Sequence, residues 1–396
     1  MTAAAHFALV WIFWACAAGI AYSYVGYPLL LKYGARLLPG GTPHDPDPMG
    51  ALPSVTVIFA AFNEEKVIAE KLSSLVASEF PEGMLEVLVG DDASTDATAA
   101  IVRTFAAAHP FIRLVPFAGR VGKPRIVNAL AAQSRGSVLV LTDANIIFDA
   151  DALRRLARWF ADPKVGLVAA NIVTRNLAGL GGIAMQEDAY IRRELQMKRQ
   201  QCILSQVVIA PFGACYAIRN EDYRPVPDGY TVDDFFISMR PQIEGRRSVQ
   251  DMDAICREDA SEHASTEFRR KARISRGNFQ NLSSFYSVAL RPWSPLGFHF
   301  ISHKVLRWMG PGLILLSYAA CGLLAAFDTL YAFIFAGMLI VLLSPVIDSG
   351  LERVGVRIRG IRFASYFLQM NLAVAFGFLL WLSGKKGGVW KPSRGA

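Results

Sequence analysis

Two aspartate pairs, one Asp-x-Asn and one lysine stand out in this 396-residue chain as groups that could do chemistry together. The run "VLVLTDANIIF" (138–148) carries apolar residues straight into Asp143, with Asn145 two positions on. An acid followed at that spacing by a second oxygen ligand can hold a divalent cation, which neutralises a diphosphate. A turn built on Asp and Asn gives the same letters. In "GDDASTD", Asp91 and Asp92 are adjacent. One helix cap needs one acceptor and neighbouring like charges repel, so a ligand hydrogen-bonded to both, such as a ribose or a base edge, stands beside capping by Ser94 or Thr95. In "GKPRIVNAL", Lys123 opens a helix with Pro124 in its first turn. A cation there opposes the helix dipole, which leaves either solvent exposure or a phosphate or carboxylate partner. Asp233 and Asp234, in "TVDD", begin another helical stretch, where capping is the alternative role.

These groups need elements to hold them. From Pro53, β-rich runs alternate with helical ones: "SVTVIFA", "EEKVIAEKLSSLVAS", "LEVLVG", "STDATAAIVRTFAAA", "FIRLVPF", "KPRIVNALAAQS", "SVLVLTD" and "ADALRRLARWF". Such alternation predicts a parallel sheet covered by helices on both faces, with ligands at the carboxyl ends of the strands. Asn63 and Glu64, Asp91 and Asp92, and Asp143 and Asn145 all fall at such ends. After residue 165 the rhythm changes to "GLVAANIV", a long polar helix "AMQEDAYIRRELQMKRQQ", and "VVIAPFGACYAIR". There Pro211, Phe212 and Gly213 interrupt two β-like runs, a close backbone approach that suits a pocket wall. Neither GxGxxG nor GxxxxGK[ST] is present, which disfavours a dinucleotide fold and a P-loop.

Composition points to a membrane protein carrying a water-facing domain. Hydrophobic residues make up 53% of the chain and charged residues 19%. Residues 7–31 are uncharged and long enough to span; a signal peptide is disfavoured because no basic n-region or small-x-small cleavage site accompanies them. Three further apolar runs, 311–327, 330–347 and 363–382, predict three spans, the first two as a tight hairpin. The aromatic and basic stretch "RPWSPLGFHFISHKVLRWMGP" predicts an interfacial helix. The expected organisation is therefore an N-terminal span with its juxtamembrane segment (1–38), a soluble domain (52–287), an interfacial segment (288–310), about three spans (311–383) and a basic tail (384–396). The net charge of +8 comes without a nucleic-acid motif, so phospholipid head groups and a phosphate-bearing substrate are the anions expected, and no nucleic acid. The five cysteines form no CxxC pair, which indicates neither a zinc site nor a disulfide framework.

Taken in order, "VIFAAFNEE", "GDDASTD", "GKPRIVNAL", "LTDAN", "PFGACYAIR", "TVDD" and "FRRKARISRGNFQNL" before membrane helices resemble the family 2 glycosyltransferases. Within them the arrangement is similar to membrane-embedded cellulose, hyaluronan, chitin and poly-N-acetylglucosamine synthases. The resemblance implies an α/β GT-A fold, a Rossmann-like nucleotide-sugar-binding catalytic domain with flanking transmembrane α-helices. It implies that Ala60, Asn63, Glu64, Asp91 and Asp92 hold the uridine of a donor, and that Lys123, Arg273 and Arg276 serve its diphosphate. Asp143 and Asn145 match the DxD that binds Mg²⁺ or Mn²⁺. Phe212, Gly213 and Ala214 match the acceptor loop, with Asp233 and Gln280 also on the acceptor side. Asp234 matches the general base that deprotonates the acceptor hydroxyl.

The chemistry asks for the same parts. Displacing a nucleoside diphosphate from an anomeric carbon builds negative charge on phosphate oxygens, which a metal with Lys or Arg can hold. Attack by a hydroxyl from the opposite face needs one base and inverts the anomeric centre. Two departures from the family are visible. Where the processive synthases carry QxxRW, Gly277 replaces the Trp and no Gln leads, and Asn145 is a neutral ligand. The expected activity is inverting, metal-dependent transfer from a UDP-sugar to a growing or lipid-linked glycan in exopolysaccharide or envelope synthesis, with polysaccharide export proteins as partners. The alternatives are single-sugar addition to a lipid-linked acceptor, favoured by the missing Trp, and a silent nucleotide-sugar-binding subunit. Because nucleotide sugars are cytosolic, the soluble domain is expected on the cytoplasmic face of a bacterial inner membrane. The 350–362 loop and the tail carry four Lys or Arg each, so charge counting does not orient the last spans, and one of them could be re-entrant.

Overall fold

A computed structural model describes residues 1–38, 46, 50–176, 182–259 and 267–384, so the basic tail lies outside the described residues apart from Gly384. In chain order the elements begin with α1 (Ala3–Ala21), a π turn (Tyr22–Gly26) and α2 (Tyr27–Leu37). Next come β1 (Val55–Ala61), α3 (Ile68–Val76), β2 (Leu85–Asp91), α4 (Thr98–Ala108), β3 (Ile112–Pro116), α5 (Lys123–Ala131), β4 (Val138–Thr142) and β5 (Ile147–Phe148). Then follow α6 (Ala152–Arg158), β6 (Val165–Arg175), α7 (Gly182–Ser205), β7 (Cys215–Arg219), α8 (Asp233–Ile243) and β8 (Arg247–Asp259). The chain continues with α9 (Glu267–Ser284), α10 (Tyr286–Ala289), α11 (Pro295–Phe300), α12 (Leu306–Trp308), α13 (Gly310–Ala325), α14 (Thr329–Arg353) and α15 (Arg359–Leu382). It divides into two compact units, one built on residues 31–263 with 293–299, the other on 1–30, 264–292 and 300–385. The division falls ahead of α9, so that helix groups with the apolar helices, whereas the sequence reading ran the soluble domain on to residue 287.

The first unit is built on an eight-stranded sheet of order β3-β2-β1-β4-β7-β6-β8-β5. Every residue of β1 is buried, and its unalternating run of apolar and β-branched residues is what a strand covered on both faces requires. β1 pairs in parallel with β2 and β4, and β2 with β3. The sheet as a whole is mixed, which corrects the expectation of a parallel one. β7 runs antiparallel to β4 and β6, and β5 antiparallel to β8. Apolar periodicity reports which face is buried and carries no strand direction. The reversal matters because it sets Cys215, the first residue of β7, opposite Thr142, the last of β4. The run "VVIA" before that loop is not a strand either: Gln206 and Ala210 have φ of 54° and 52°, a left-handed backbone that no strand accommodates.

In the second unit, α1 packs against α13 and α14. The Phe13 and Tyr331 rings meet edge to face at 5.7 Å, and Trp14 Nε1 donates to the Tyr331 hydroxyl at 3.1 Å. Among the described residues, three helical runs are long and apolar enough to cross a membrane: Ala3–Leu37, Thr329–Arg353 and Arg359–Leu382. α13 has only 16 residues, about 24 Å at 1.5 Å per residue, short of a bilayer core of roughly 30 Å. It joins the helical run Pro295–Trp308 at a 60° bend, and the pair counted as one span gives up to four.

α9 packs on α15. Phe279 lies 4.9 Å from the Phe378 ring, and Ser275 Oγ donates to Val374 O at 3.0 Å. Gly377 is where the two backbones come closest: a Cβ there would sit 2.5 Å from Ser275 Cβ and 2.7 Å from Ala272 O. Gly377→Ala should therefore lower stability by about 1–3 kcal/mol through overpacking. The thermal midpoint of the detergent-solubilised chain measures this, and an unchanged midpoint would contradict so close a packing.

Candidate active site

Because β1, β2 and β4 are parallel neighbours, their carboxyl ends deliver Asn63 and Glu64, Asp91 and Asp92, and Asp143 to one edge of the sheet. Ala60 is buried within β1, paired with Gly90. Asn63 takes a left-handed conformation, φ 52°, and stitches the first loop to the second. Its N–H donates to Ser94 Oγ (3.0 Å), and its Oδ1 accepts from Thr95 N (2.9 Å). Glu64 N donates to Thr98 Oγ1 at 2.8 Å. Ser94 and Thr95 are thus engaged by the first loop, and neither caps α4. Asp96 Oδ1 accepts from Thr98 N (3.0 Å), and Glu65 Oε2 accepts from Ala97 N (3.0 Å).

The adjacent acids have separate partners. Asp91 Oδ1 accepts from Ser94 N at 3.2 Å. Asp92 is fully buried: Oδ1 accepts from Val121 N (2.6 Å) and Gly122 N (3.2 Å), and Oδ2 from Arg120 Nε (3.0 Å). Asp92 therefore organises the loop ahead of α5, and that loop lays the Arg120 guanidinium over the Phe62 ring, 3.3 Å from its centroid. Gly122, φ 88°, gives the loop the left-handed step that a side chain would resist.

Lys123 has a carboxylate partner. Its Nζ donates to Asp143 Oδ1 at 2.6 Å. Burial alone would push the ammonium's pKa down, but Asp143, Asp233 and Asp234 together outweigh it and hold the group protonated well above the ordinary lysine range. Asp233 and Asp234 open α8, and Asp234 Oδ1 accepts from Phe235 N at 2.9 Å. Burial first, then the charge of Asp233, pushes the Asp234 carboxyl up to about 6, with Lys123 pulling the other way. Gly213 lies directly against this acid: a Cβ there would sit 2.5 Å from Asp234 Oδ2. Its neighbour Phe212 carries the Lys198 ammonium 3.6 Å from its ring centroid, and Ala214 O accepts from Asp143 N at 3.2 Å.

Thirteen of the expected site residues therefore fall in one unit, between Ala60 and Asp234. Arg273, Arg276 and Gln280 belong to the other unit, spaced along α9 at intervals that share one helix face. As a cation site, Asp143 offers a half-exposed carboxylate, while Asn145 Nδ2 donates to Glu258 Oε1 (3.3 Å), which leaves the amide oxygen as its ligand atom. Among the described residues no three His, Cys, Asp or Glu cluster as a metal cage. The set fits a hard cation shared with a ligand's own oxygens, and the Lys123 ammonium already marks Asp143 as a place for positive charge. Lys71, Lys198 and the Arg120/Phe62 stack escaped sequence reasoning. A signal for Lys71 existed: with Ile68, Leu72 and Leu75 it falls on the apolar stripe of α3, where a lysine is out of place.

Residues 56–224 match the family described as Glycosyl transferase family 2. An N-acetylglucosaminyltransferase of Bradyrhizobium elkanii is 32% identical over 127 residues, 32% of this chain and 69% of that protein. A beta-monoglucosyldiacylglycerol synthase of Synechocystis sp. is 31% identical over 153 residues, 36% of this chain and 31% of that one. The chain spans 24–31% of the length of this and other relatives it matches. Among solved structures, the mannosyltransferase PcManGT from Pyrobaculum calidifontis in complex with GDP-Man and Mn²⁺ superposes with a TM-score of 0.68 at 23% identity. The superposition covers 94% of this chain and 99% of that one, a likeness of fold. The architecture is thus GT-A, with apolar helices flanking it.

Asp92→Asn should loosen the 119–122 loop. Hydrogen bonds to a charged acceptor are worth enough that amide exchange across it should rise at least about 10-fold. Hydrogen-exchange mass spectrometry reads this directly, and unchanged exchange would mean the loop is held by something else.

Proposed function

This chain belongs to glycosyl transferase family 2, and from that premise we propose that it transfers a sugar, with inversion, from a nucleotide-sugar donor to a glycan or lipid-linked acceptor at a membrane. A UDP-sugar is the first choice of donor. The observation that carries this reading is the grouping of Lys123 with Asp143, Asp233 and Asp234 at one sheet edge. Three carboxylates against one ammonium leave surplus negative charge, and a donor diphosphate would add more. A divalent cation, Mg²⁺ or Mn²⁺, held by Asp143 and Asn145 supplies Lewis-acid neutralisation of the leaving diphosphate when bound.

The chain's own residues do the rest. Lys123, held protonated, is a point charge that can exchange Asp143 for a phosphate oxygen as the leaving group develops charge. Ala60, Asn63, Glu64, Asp91 and Asp92 shape the nucleoside end, Asp92 through the loop that presents Arg120. Asp234 is the base. With its carboxyl near 6 it is ionised at neutral pH, yet basic enough to take a proton from an acceptor hydroxyl. Phe212, Gly213 and Ala214 pass against that acid, so an acceptor seated on them places its hydroxyl beside the base, with Asp233 next to it. Arg273 and Arg276 are assigned to the donor diphosphate by their spacing in the QxxRW-like run, which no Gln leads here, and Gln280, four residues past Arg276, is given a related role on the acceptor side. The catalytic domain is assigned to the cytoplasmic face of a bacterial inner membrane, where nucleotide sugars are available, and the pathway to exopolysaccharide or envelope polysaccharide. One observation favours single-sugar addition to a lipid-linked acceptor over polymerisation: Gly277, on α9, offers no ring on which an elongating sugar could stack.

The test is incubation of the purified chain with labelled UDP-sugars and GDP-mannose, with and without chelator. Transfer from a UDP-sugar, lost in chelator and restored by Mn²⁺, is expected; no transfer or hydrolysis from any donor would sink the enzyme reading. Asp234→Asn should reduce transfer to background while UDP still binds, and full activity in that variant would remove Asp234 as the base. In the wild type the base must be ionised, so kcat/KM should be low below the Asp234 pKa and rise through about pH 6 to a plateau. A flat profile from pH 5 to 8 would assign the proton transfer to another group.

A further inference from the structure

Beneath the Asp143 turn lies a charged group that the transfer chemistry does not use. Lys71, on the inward face of α3, is fully buried. Its Nζ donates to Thr142 Oγ1 (3.1 Å) and to Ile146 O (2.7 Å), the two ends of the turn that carries Asp143 and Asn145. The same nitrogen lies 4.2 Å from the Phe148 ring centroid and 5.4 Å from that of Phe59. Thr142 Oγ1 is in turn 2.8 Å from Ala214 O. A lysine ammonium only donates, so it takes a lone pair of the Thr142 hydroxyl and leaves that hydroxyl's hydrogen for Ala214 O. The relay therefore has a fixed direction, from Lys71 to Thr142 to Ala214. Ala214 O also accepts from Asp143 N, so the turn and the loop share one acceptor.

Burying an amine among aromatic rings and thiols is unfavourable, and a methionine would fill the same space without that penalty. What a methionine lacks is two N–H groups aimed at two buried oxygens. Burial pushes the Lys71 amine down to about 7, against the opposing pull of Cys215, Cys256 and Asp143. Protonated or neutral it keeps two donors, so the clasp holds across the neutral range.

We propose that Lys71 is a positioning residue that, through Thr142, locks the turn bearing Asp143 to the Phe212–Ala214 loop touching Asp234, and so sets the donor-side acid and the base in register. The consequence for turnover rests on the glycosyltransferase reading, whereas the relay stands on the geometry of the turn.

The test uses the full chain in detergent with Lys71→Met, Thr142→Val and Thr142→Ser, read by hydrogen exchange, UDP or GDP binding, and donor turnover. Lys71→Met should speed exchange in peptides covering both 139–148 and 212–216 by at least about 10-fold. A misplaced acid should lower kcat/KM for the donor about 100-fold, with kcat falling in the folded fraction and not KM alone rising. Thr142→Val keeps the lysine but breaks the relay and should open 212–216 likewise, while Thr142→Ser, which keeps the hydroxyl, should recover most of the loss. Combining Lys71→Met with Thr142→Val should be no worse than the worse single change, because both interrupt one chain of contacts. Unchanged exchange at 212–216 in both single variants overturns the proposal, and so does strict additivity in the double. If Lys71→Met does not fold, Thr142→Val against Thr142→Ser decides the question alone. A wild type that neither binds a nucleotide nor transfers a sugar would defeat the functional reading, and the exchange comparison would still decide the relay.

Discussion

An ammonium held among carboxylates is the constraint on which the site depends. Lys123 pairs with the half-exposed Asp143 at 2.6 Å and also feels the buried Asp233 and the partly buried Asp234. Where water is partly excluded, local partners take over part of the balancing of charge. The single positive charge pairs with Asp143 and partly offsets the burial of Asp234. Burial first, and then the neighbouring charge of Asp233, raise the Asp234 carboxyl against that pull. In the proposed function the same grouping would serve twice, as a base poised near neutrality and as a place for further positive charge beside a donor diphosphate.

The fold supplies this arrangement through one reversal of direction. Three parallel strands, β1, β2 and β4, bring acids to a common edge, but a wholly parallel sheet would place the start of the next strand at the opposite end. With β7 antiparallel to β4, residues 212–214 enter the edge beside Asp143 and come against Asp234. The loops are then fixed by backbone N–H groups donating to side chains: Asp92 on Val121 and Gly122, Asn63 on Thr95, Asp96 on Thr98. Several acids that look like ligands in the sequence therefore have structural work of their own.

That division explains what the sequence could and could not disclose. Asp143, Lys123 and Asp234 were legible because a polar residue ending an apolar strand, or opening a helix, has few ordinary reasons to be there. Asp92 was read as a ligand group because its backbone partners, nearly thirty residues away, leave no mark in local spacing. Lys71 was passed over since a lysine in a helix is expected in water, although its place on the Ile68, Leu72 and Leu75 stripe disagreed. The direction of β7 was invisible because a two-residue period has no sense along the chain. In the apolar segments, composition located three helices long enough to be candidate spans, but the shortness of α13 and the 60° bend before it are backbone events that hydropathy does not register.

In the function we propose, a single base faces a donor held at Asp143, and the one displacement this allows would invert the anomeric centre. The decisive measurement is the anomeric configuration of the transferred sugar, by proton NMR of product made from an α-linked nucleotide sugar. The account predicts a β-linkage. An α-linked product would mean retention, by a double displacement or by same-face attack, and would contradict the assignment of Asp234 as the base of a single in-line displacement.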